Sequence, residues 1–269
     1  MEPLIEFRRV AIIGHGLIGG SIELALRGLD DPPLITALDR GDSLDAVDGA
    51  DLIILAASVS QNIQILSQLG ACLSGEAVIT DTGSTKRTLH AAATALPSRL
   101  RFIGGHPMAG AAGSGLAAAR GDLFSGRPWI LTPASGATPP LAELFAFVSA
   151  LGATPCVMSP DEHDRLVAYV SHLPQLVVSA LMHTVGTETG DQALSLAGTG
   201  LRDSARLSAS PPAMWRDIVA SNRDHVNAAL DDLIHSLRRM RDDEGTDALA
   251  EVFESASHWK AHLDKSSPP

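Results

Sequence analysis

Short apolar segments rich in β-branched residues alternate with helix-length amphipathic segments over the first 158 of 269 residues. This alternation is typical of βαβ units, so we expect an α/β fold with a doubly wound parallel sheet and helices on both faces. The predicted strands are residues 10–13, 34–38, 52–56, 77–80, 101–103, 129–132 and 154–158. The predicted helices are residues 17–26, 61–69, 85–95 and 141–151.

The pattern changes at Ser159, where a serine, a proline and two acids in succession are typical of a helix start. No strand pattern follows, and helices are predicted over residues 161–186, 190–208, 212–241 and 245–263. The sequence therefore predicts an N-terminal α/β domain, residues 1–158, and a C-terminal all-helical domain, residues 159–269.

A glycine-rich segment with the pattern GxGxxG lies between the first predicted strand and the first helix. Gly14 allows the tight turn, Gly16 lets the backbone approach a pyrophosphate, and Gly19 lets the helix pack closely on the strand. The helix N-terminus then offers N–H groups to the phosphates. The same pattern also fits an ordinary turn between a strand and a helix. The other cofactor-binding candidates in this region and after the third strand are Leu17, Ile18 and Ser58.

An acidic residue at the end of the second predicted strand bears on the choice of cofactor. Asp39 follows Gly19 by 20 residues, a spacing at which a carboxylate binds the ribose hydroxyls of NAD and repels a 2′-phosphate. The sequence therefore predicts NAD as the cofactor. NADP stays open because the neighbouring Arg40 could receive a phosphate.

Two further segments carry candidate chemistry in the α/β half. His106 lies in GGHPMAG, expected just after the fifth strand, and an imidazole is the natural acceptor for a hydroxyl proton. Its flanking glycines are expected to let the backbone crowd against a ligand, although a structural loop histidine is the alternative. Ser84 lies in DTGSTK and offers a hydroxyl at the same sheet edge, or it caps the next helix. Lys86 could be a solvated surface residue.

In the helical half, the segment SHLPQ at residues 171–175 places a proline inside a long predicted helix. The proline frees backbone groups and can turn a polar patch toward a cleft, or it makes only a kink in the core. The guanidinium of Arg206 could bind a substrate carboxylate through two parallel hydrogen bonds, or it could form a surface salt bridge. Trp215 could belong to the core or to the wall of a pocket.

Composition and charge exclude several other classes of protein. Hydrophobic residues make up 45% and charged residues 19%, which excludes a disordered chain. The net charge of −11 argues against nucleic acid as a partner.

Cys72 and Cys156 form no CxxC pattern, and the histidines show no ligand grouping, so neither a disulfide framework nor a metal site is predicted. The apolar stretch 167–185 is interrupted by histidine, proline and glutamine and is not expected to span a membrane. Without a predicted signal peptide, we expect a cytoplasmic protein.

Seven segments taken together resemble the prephenate/arogenate (cyclohexadienyl) dehydrogenase family of tyrosine biosynthesis. They are GHGLIGGS at 14–21, DTGSTK at 81–86, GGHPMAG at 104–110, DEHD at 161–164, SHLP at 171–174, RDSAR at 202–206 and MWRDI at 214–218. The resemblance implies an N-terminal Rossmann domain, a helical domain that forms a homodimer, and an active site between the two. It also implies NAD(P)-dependent oxidative decarboxylation of a cyclohexadienyl carboxylate. Prephenate would give 4-hydroxyphenylpyruvate, and arogenate would give tyrosine.

The resemblance also assigns roles to individual residues by position. His106 would be the base at the ring hydroxyl of the substrate, assisted by Ser84. Arg206 would bind a substrate carboxylate. The other substrate-binding candidates are Asp203, Ser171, His172, Gln175 and Trp215.

Two departures from the family pattern leave the substrate open. Gln175 stands where many relatives have a histidine, and Ala111-Ala112 stand where many have Thr-Glu. The chain could therefore prefer the keto group of prephenate or the amino group of arogenate. Two other classes stay open as well. One is another two-domain NAD(P) reductase, of the β-hydroxyacid dehydrogenase or imine reductase type. The other is a non-catalytic nucleotide-sensing protein, which an absorbance assay for NADH would separate from an enzyme.

Overall fold

The computed structural model describes residues 6–111, 113–134, 138–242 and 247–266. Its centre is a seven-stranded sheet with the strand order β2-β1-β3-β4-β5-β6-β7. The strands are β1 Arg9–Ile13, β2 Leu34–Leu38, β3 Leu52–Leu55, β4 Ala77–Asp81, β5 Leu100–Pro107, β6 Pro128–Pro133 and β7 Thr154–Val157. The helices between them are α1 Leu17–Arg27, α2 Val59–Cys72, α3 Arg87–Ala93 and α4 Thr138–Ala150.

The sheet is parallel except at one pair of strands. Strands β1 to β5 run parallel to one another, whereas β6 pairs antiparallel with β5 and parallel with β7. The predicted doubly wound parallel sheet is confirmed, with β6 and β7 running opposite to the other strands. Because β1, β3, β4 and β5 share one direction, their carboxyl ends lie at one edge of the sheet, where ligands bind in such folds.

The core has two layers, one on each face of the sheet. Val10 and Ile12 of β1 belong to one buried cluster, and their neighbours Ala11 and Ile13 belong to the other. A strand buried on both faces carries apolar residues at consecutive positions, which explains the continuous apolar segments in the sequence.

The remaining elements are helical. They are α5 Pro160–Val167, a π-helical turn Ala168–His172, α6 Leu173–Leu194, α7 Thr199–Ser204, a 3₁₀ turn Ala205–Leu207, α8 Pro212–Ser221, α9 Arg223–Arg241 and α10 Ala248–Ser266. Ser159 caps α5 as predicted, because its Oγ accepts a hydrogen bond of 3.2 Å from the Glu162 amide. The predicted kink at Pro174 takes the form of the π-helical turn, since proline has no N–H to continue the α-helical ladder. Helix α6 is kinked at Gly190, whose φ is +58°, and it continues without a break through Gly186, where the sequence predicted its end.

The chain divides into two compact units. The first consists of Met1–Asp164 together with Ala213–Ser221, and the second of Arg165–Pro212 together with Asn222–Pro269. In this division the first unit extends to Asp164 and also includes α8. Side-chain hydrogen bonds explain this inclusion: Thr85 Oγ1 lies 2.8 Å from Ser221 Oγ, and Asp217 accepts from the Ser60 amide at 3.1 Å.

One helical run within the described residues is long and apolar enough to cross a membrane by length and composition alone. It covers Pro160–Gln192, and 22% of its most apolar window is buried. Length and composition are weak grounds for a membrane span, because a core helix of a globular protein satisfies the same test. The feature shows that the second unit presents much apolar helix surface.

Candidate active site

The turn after β1 has the geometry that dinucleotide binding requires. Gly14 adopts φ +107°, and a Cβ there would lie 2.6 Å from the Ala56 carbonyl carbon. A Cβ on Gly19 would collide with the Gly14 carbonyl oxygen, so this glycine is needed where α1 crosses the turn. At Gly16, in contrast, a Cβ would meet nothing within 4 Å. Space is thus left open at the N-terminus of α1, where a pyrophosphate would bind.

The other cofactor candidates divide into those open to a ligand and those occupied by the fold. Asp39 and Arg40 are exposed at the end of β2, and the Arg40 amide donates to the Asp39 carboxylate at 2.7 Å. Leu17 and Ile18 pack against the core, so their amides are what they can offer a phosphate. Ser58 forms a capping box with Gln61 at the start of α2. Its hydroxyl therefore serves the helix.

The segment after β4 contains a buried ion pair that the sequence did not reveal. Lys86 and Asp81 are both fully buried, and the Lys86 ammonium donates to the Asp81 carboxylate and, at 2.6 Å, to the Gly105 carbonyl oxygen. Burial lowers the pKa of Lys86, and the neighbouring carboxylate of Asp81 opposes that shift. The interpretation of Lys86 as a solvated surface residue is therefore wrong.

The same segment leaves Ser84 without the capping role considered for it. Helix α3 begins at Arg87, and its N-cap position is Lys86. Ser84 precedes this cap and lies partly exposed after the end of β4. Its hydroxyl remains a candidate for substrate contact at the carboxyl edge of the sheet.

His106 lies inside β5 and not in a loop after it, so that expectation is corrected. It pairs across the antiparallel ladder with Ile130, and the residue is 9% exposed. The two glycines before it are required by packing within the protein. A Cβ on Gly105 would collide with the Asp81 carbonyl oxygen, and one on Gly104 would collide with the Thr132 hydroxyl. The space beside these glycines is thus filled by the protein itself and not by a ligand.

A chain of buried polar groups continues behind His106. Its Nδ1 lies 2.8 Å from His163 Nε2, and the Nδ1 of His163 lies 2.8 Å from Asp164 Oδ1. Asp164 also accepts from the Lys86 amide at 2.7 Å and from the Arg87 amide at 3.0 Å. His163 and Asp164 are fully buried.

Burial and hydrogen bonding act in opposite directions on these groups. Burial lowers the pKa of His163, more than the hydrogen bond to Asp164 raises it. For Asp164, burial would raise the pKa, but the hydrogen bonds from His163 and from the Arg87 and Lys86 amides bring it below the ordinary value. Both shifts favour a neutral imidazole on His163 next to a carboxylate anion on Asp164.

In the second unit, Gln175 is occupied by hydrogen bonds within the protein. Its Nε2 donates to the Leu207 carbonyl oxygen at 2.8 Å and to Ser179 Oγ at 3.2 Å, and its Oε1 accepts from Ser210 Oγ at 3.0 Å. The side chain is 5% exposed. Gln175 therefore fixes the segment that follows α7, which contains Arg206.

The remaining substrate-binding candidates differ in exposure. Arg206, in the 3₁₀ turn, and Asp203, in α7, are exposed. His172 is fully buried, and its Nδ1 lies 3.4 Å from Asn222 Nδ2. Ser171, in the π-helical turn, is partly exposed. Trp215, in α8, is partly exposed and belongs to the first unit, although the sequence placed it in the helical domain. Of the Ala111-Ala112 departure, Ala112 lies outside the described residues.

Sequence reasoning missed the buried residues around His106. DEHD at 161–164 was noted only as a matching segment, and neither His163 nor Asp164 received a role. No cluster of histidine, cysteine and carboxylate ligands that could hold a metal ion occurs among the described residues.

Comparison with known protein families identifies the family of this chain. Residues 34–157 match the family described as "Prephenate dehydrogenase, nucleotide-binding domain". Residues 159–255 match "Prephenate dehydrogenase, dimerization domain". The chain belongs to the prephenate dehydrogenase family. The predictions of this family and of an NAD-dependent dehydrogenase are thereby confirmed, and so is the Rossmann-type fold.

Individual relatives of the dehydrogenase agree with this assignment. It is similar to the prephenate dehydrogenase of Bacillus subtilis (strain 168), with 35% identity over 94% of this chain and 76% of the relative. It is also similar to the crystal structure of prephenate dehydrogenase from A. aeolicus in complex with hydroxyphenyl propionate and NAD+. That match has a TM-score of 0.86, 27% identity, and coverage of 97% of this chain and 98% of the other. The crystal structure of Synechocystis arogenate dehydrogenase matches with a TM-score of 0.81 and 27% identity, over 96% and 100% of the two chains.

Proposed function

We propose that this dehydrogenase oxidises and decarboxylates prephenate, arogenate or both, with NAD as cofactor and His106 as the group that handles the hydroxyl proton. The observation that carries the proposal is the position of His106. It lies near the carboxyl end of β5, at the same sheet edge as the glycine turn after β1 and Ser84 after β4. A nicotinamide cofactor bound at that edge brings its reactive ring to the carboxyl ends of the strands.

The residues around the glycine turn fit NAD. The open space at Gly16 and the N-terminus of α1 suit the pyrophosphate, and the exposed Asp39 carboxylate suits the two ribose hydroxyls. Bound NAD supplies the acceptor for a hydride. Arg40 is the residue that would accommodate a 2′-phosphate if NADP is used as well.

The protein's own part in the reaction is to hold and return a proton. His106 accepts the proton of the ring hydroxyl while the ring carbon that carries this hydroxyl is oxidised to a ketone by loss of a hydride. Loss of CO2 returns the electron pair of the broken C–C bond to the ring, and a phenolate forms. The phenolate takes the proton back from His106, so the reaction as a whole releases no proton. Aromatisation makes the sequence essentially irreversible, and the enzyme has mainly to align the groups.

Recognition of the substrate requires a cation for its carboxylates. Arg206 is exposed on a turn fixed by Gln175, and a guanidinium binds a carboxylate through two parallel hydrogen bonds. We assign Arg206 this role, with Asp203, Ser171, His172 and Trp215 as further candidates for substrate contact. Ser84 assists at the hydroxyl group.

The test is an absorbance assay at 340 nm, which compares prephenate and arogenate with NAD and NADP in all four combinations. We expect NADH formation with at least one substrate, and a decrease in kcat of about 10²–10⁴-fold for His106→Asn. Arg206→Gln should raise the substrate KM by roughly ten- to a hundred-fold while the NAD dissociation constant stays at the parent value. No NADH in any combination, or a parental kcat for His106→Asn, would contradict the proposal.

We further propose that the helical unit forms a homodimer. Among its described residues, several large apolar residues are exposed to solvent: Leu237 is 54%, Phe253 62% and Trp259 66% exposed. Exposed apolar surface marks an interaction site where it is contiguous, and we propose that these side chains form one dimer interface together with part of the apolar run Pro160–Gln192. Sedimentation velocity should show a dimer that Trp259→Glu shifts toward monomer. As a control, Leu34→Glu changes a residue of the first unit that is 65% exposed, and it should leave the dimer intact.

Cellular location follows from the proposed reaction. An enzyme that uses NAD and a free biosynthetic intermediate works where both are made, so we propose a cytoplasmic protein. Cell fractionation with activity measurement tests this location.

A further inference from the structure

The buried groups behind His106 define which of its nitrogens can accept a proton. Asp164 accepts at least four hydrogen bonds, and both of its oxygens take part. Oδ1 accepts from the Lys86 amide and from His163, and Oδ2 accepts from the amide and Nε of Arg87. An ionised carboxylate can only accept, so the Nδ1 of His163 must carry a hydrogen.

The order of hydrogens then propagates to His106. Burial favours the neutral form of His163. In that form its Nε2 has no hydrogen and accepts, so the Nδ1 of His106 donates to it across 2.8 Å. A neutral His106 that donates from Nδ1 has its lone pair on Nε2. In this tautomer Nε2 is the ring nitrogen that can accept a proton from a substrate.

We infer that His163 and Asp164 are positioning residues that hold His106 in the tautomer with a basic Nε2 and stabilise its protonated form during turnover. The inference rests on the proposed role of His106 as the base. When the substrate O–H bond breaks, an N–H bond forms at Nε2. The resulting imidazolium donates from Nδ1 to His163, which in turn donates to the Asp164 carboxylate. When the phenolate takes the proton back, the Nε2–H bond breaks and the original tautomer returns.

The charged groups around His163 favour Asp164 as the carboxylate that stabilises the hydrogen-bonded series His106–His163–Asp164. Two other charged groups act on His163: the Lys86 ammonium opposes its protonation, and the Asp81 carboxylate favours it. Lys86 and Asp81 are hydrogen-bonded to each other, so their effects largely offset. Asp164 is the carboxylate that contacts His163 directly.

Asp164→Asn is the sharpest perturbation because an amide cannot accept four hydrogen bonds. If the NH2 group of the new asparagine takes the place of Oδ1, two N–H donors face each other at the Lys86 amide. The Nδ1 of His163 must then lose its hydrogen to accept from the NH2 group. The tautomers then reverse along the chain, and the Nε2 of His106 carries a hydrogen. If the NH2 group takes the place of Oδ2, it opposes the Arg87 amide, and the negative charge is still lost. Either arrangement slows proton transfer to His106.

The kinetic test uses the full-length dehydrogenase with saturating NAD and its better substrate. We expect Asp164→Asn and His163→Leu to lower kcat by about 10²–10⁴-fold while the substrate KM and the NAD dissociation constant change little. His163→Gln should recover part of that loss, because its carbonyl oxygen can accept from the Nδ1 of His106. His90→Gln is the matched control. His90 is a partly buried histidine of the same unit, hydrogen-bonded to Thr132 at 2.9 Å, and its replacement should leave kcat at the parent value.

A spectroscopic readout on the parent enzyme decides the tautomer even if a variant fails to fold. In ¹⁵N spectra of the histidine-labelled NAD complex, His106 should show a protonated Nδ1 and a bare Nε2. Its signals are assigned by their loss in His106→Asn. A hydrogen on Nε2 in the neutral parent, or a parental kcat in Asp164→Asn, would overturn the inference. If instead the parent forms no NADH or His106→Asn keeps its kcat, the proposed function fails, and the ¹⁵N spectra still report the tautomer separately.

Discussion

Replacing Lys86 with methionine tests whether the buried ion pair stabilises the first unit. Both Lys86 and Asp81 are fully buried, so the variant leaves a carboxylate in the interior without its cation. Removing one partner of such a pair typically costs about 3–5 kcal/mol. We expect the lower end, about 3 kcal/mol, because Asp81 keeps hydrogen bonds from the amides of Gly83 at 2.7 Å and Gly105 at 3.1 Å. Methionine is apolar and similar in length, so the loss would not reflect a large cavity.

Urea unfolding followed by circular dichroism measures this loss. Lys260→Met is the matched control: Lys260 pairs with Asp264 on an exposed helix face, where both side chains are more than 60% exposed. Exposed pairs of this kind contribute at most about 1 kcal/mol. Adding Asp81→Asn to Lys86→Met removes the uncompensated charge and should restore part of the stability. If Lys86→Met costs no more than Lys260→Met, the reasoning about a buried charge is refuted.

The remaining predictions concern four variants, three at the cofactor site and one in the second unit. Gly16→Ala should raise the NAD dissociation constant by about tenfold or more in calorimetric titrations, through loss of roughly 1.4 kcal/mol, with an unchanged unfolding midpoint. Gly19→Ala should lower that midpoint, because its Cβ meets the Gly14 carbonyl oxygen; the opposite pattern would contradict the assignment of the turn. Asp39→Ser should lower kcat/KM for NAD roughly tenfold and improve NADP, and an unaltered cofactor ratio would argue against Asp39 as the ribose ligand. Gln175→Leu should destabilise the protein by about 1–3 kcal/mol in thermal unfolding, since it leaves buried partners without hydrogen bonds; no change would mean that the Leu207 and Ser210 contacts are dispensable.

The regular parts of the fold were predictable because they leave local patterns. Consecutive apolar residues mark strands buried on both faces, and the sequence placed all seven strands close to their observed positions. The direction of β6 was not predictable, because a buried strand has the same composition whether it runs parallel or antiparallel. The extension of β5 through His106 was missed because two glycines in succession are typical of a loop, whereas here they make room for Asp81 and Thr132.

The residues of the candidate site likewise divide into those that the sequence predicted and those that it did not. The glycine turn and Asp39 are separated by short, characteristic spacings, so sequence reasoning found them. The partners of His106 depend on contacts between distant positions. His163 is 57 residues away along the chain, and Asp164 contacts Lys86 across 78 residues. No local pattern reports such a contact, and Lys86 in particular has the residue type least expected in a core.

The return of the chain into the first unit has a consequence for its biogenesis. Thr85 contacts Ser221, 136 residues later, and α8 arrives only after the first part of the helical unit has been synthesised. A nascent chain that ends near residue 158 lacks both α8 and the residues His163 and Asp164. The nucleotide-binding unit therefore completes its folding late during translation. An exchange of domains between relatives would have to carry residues 159–164 and 213–221 with the first unit.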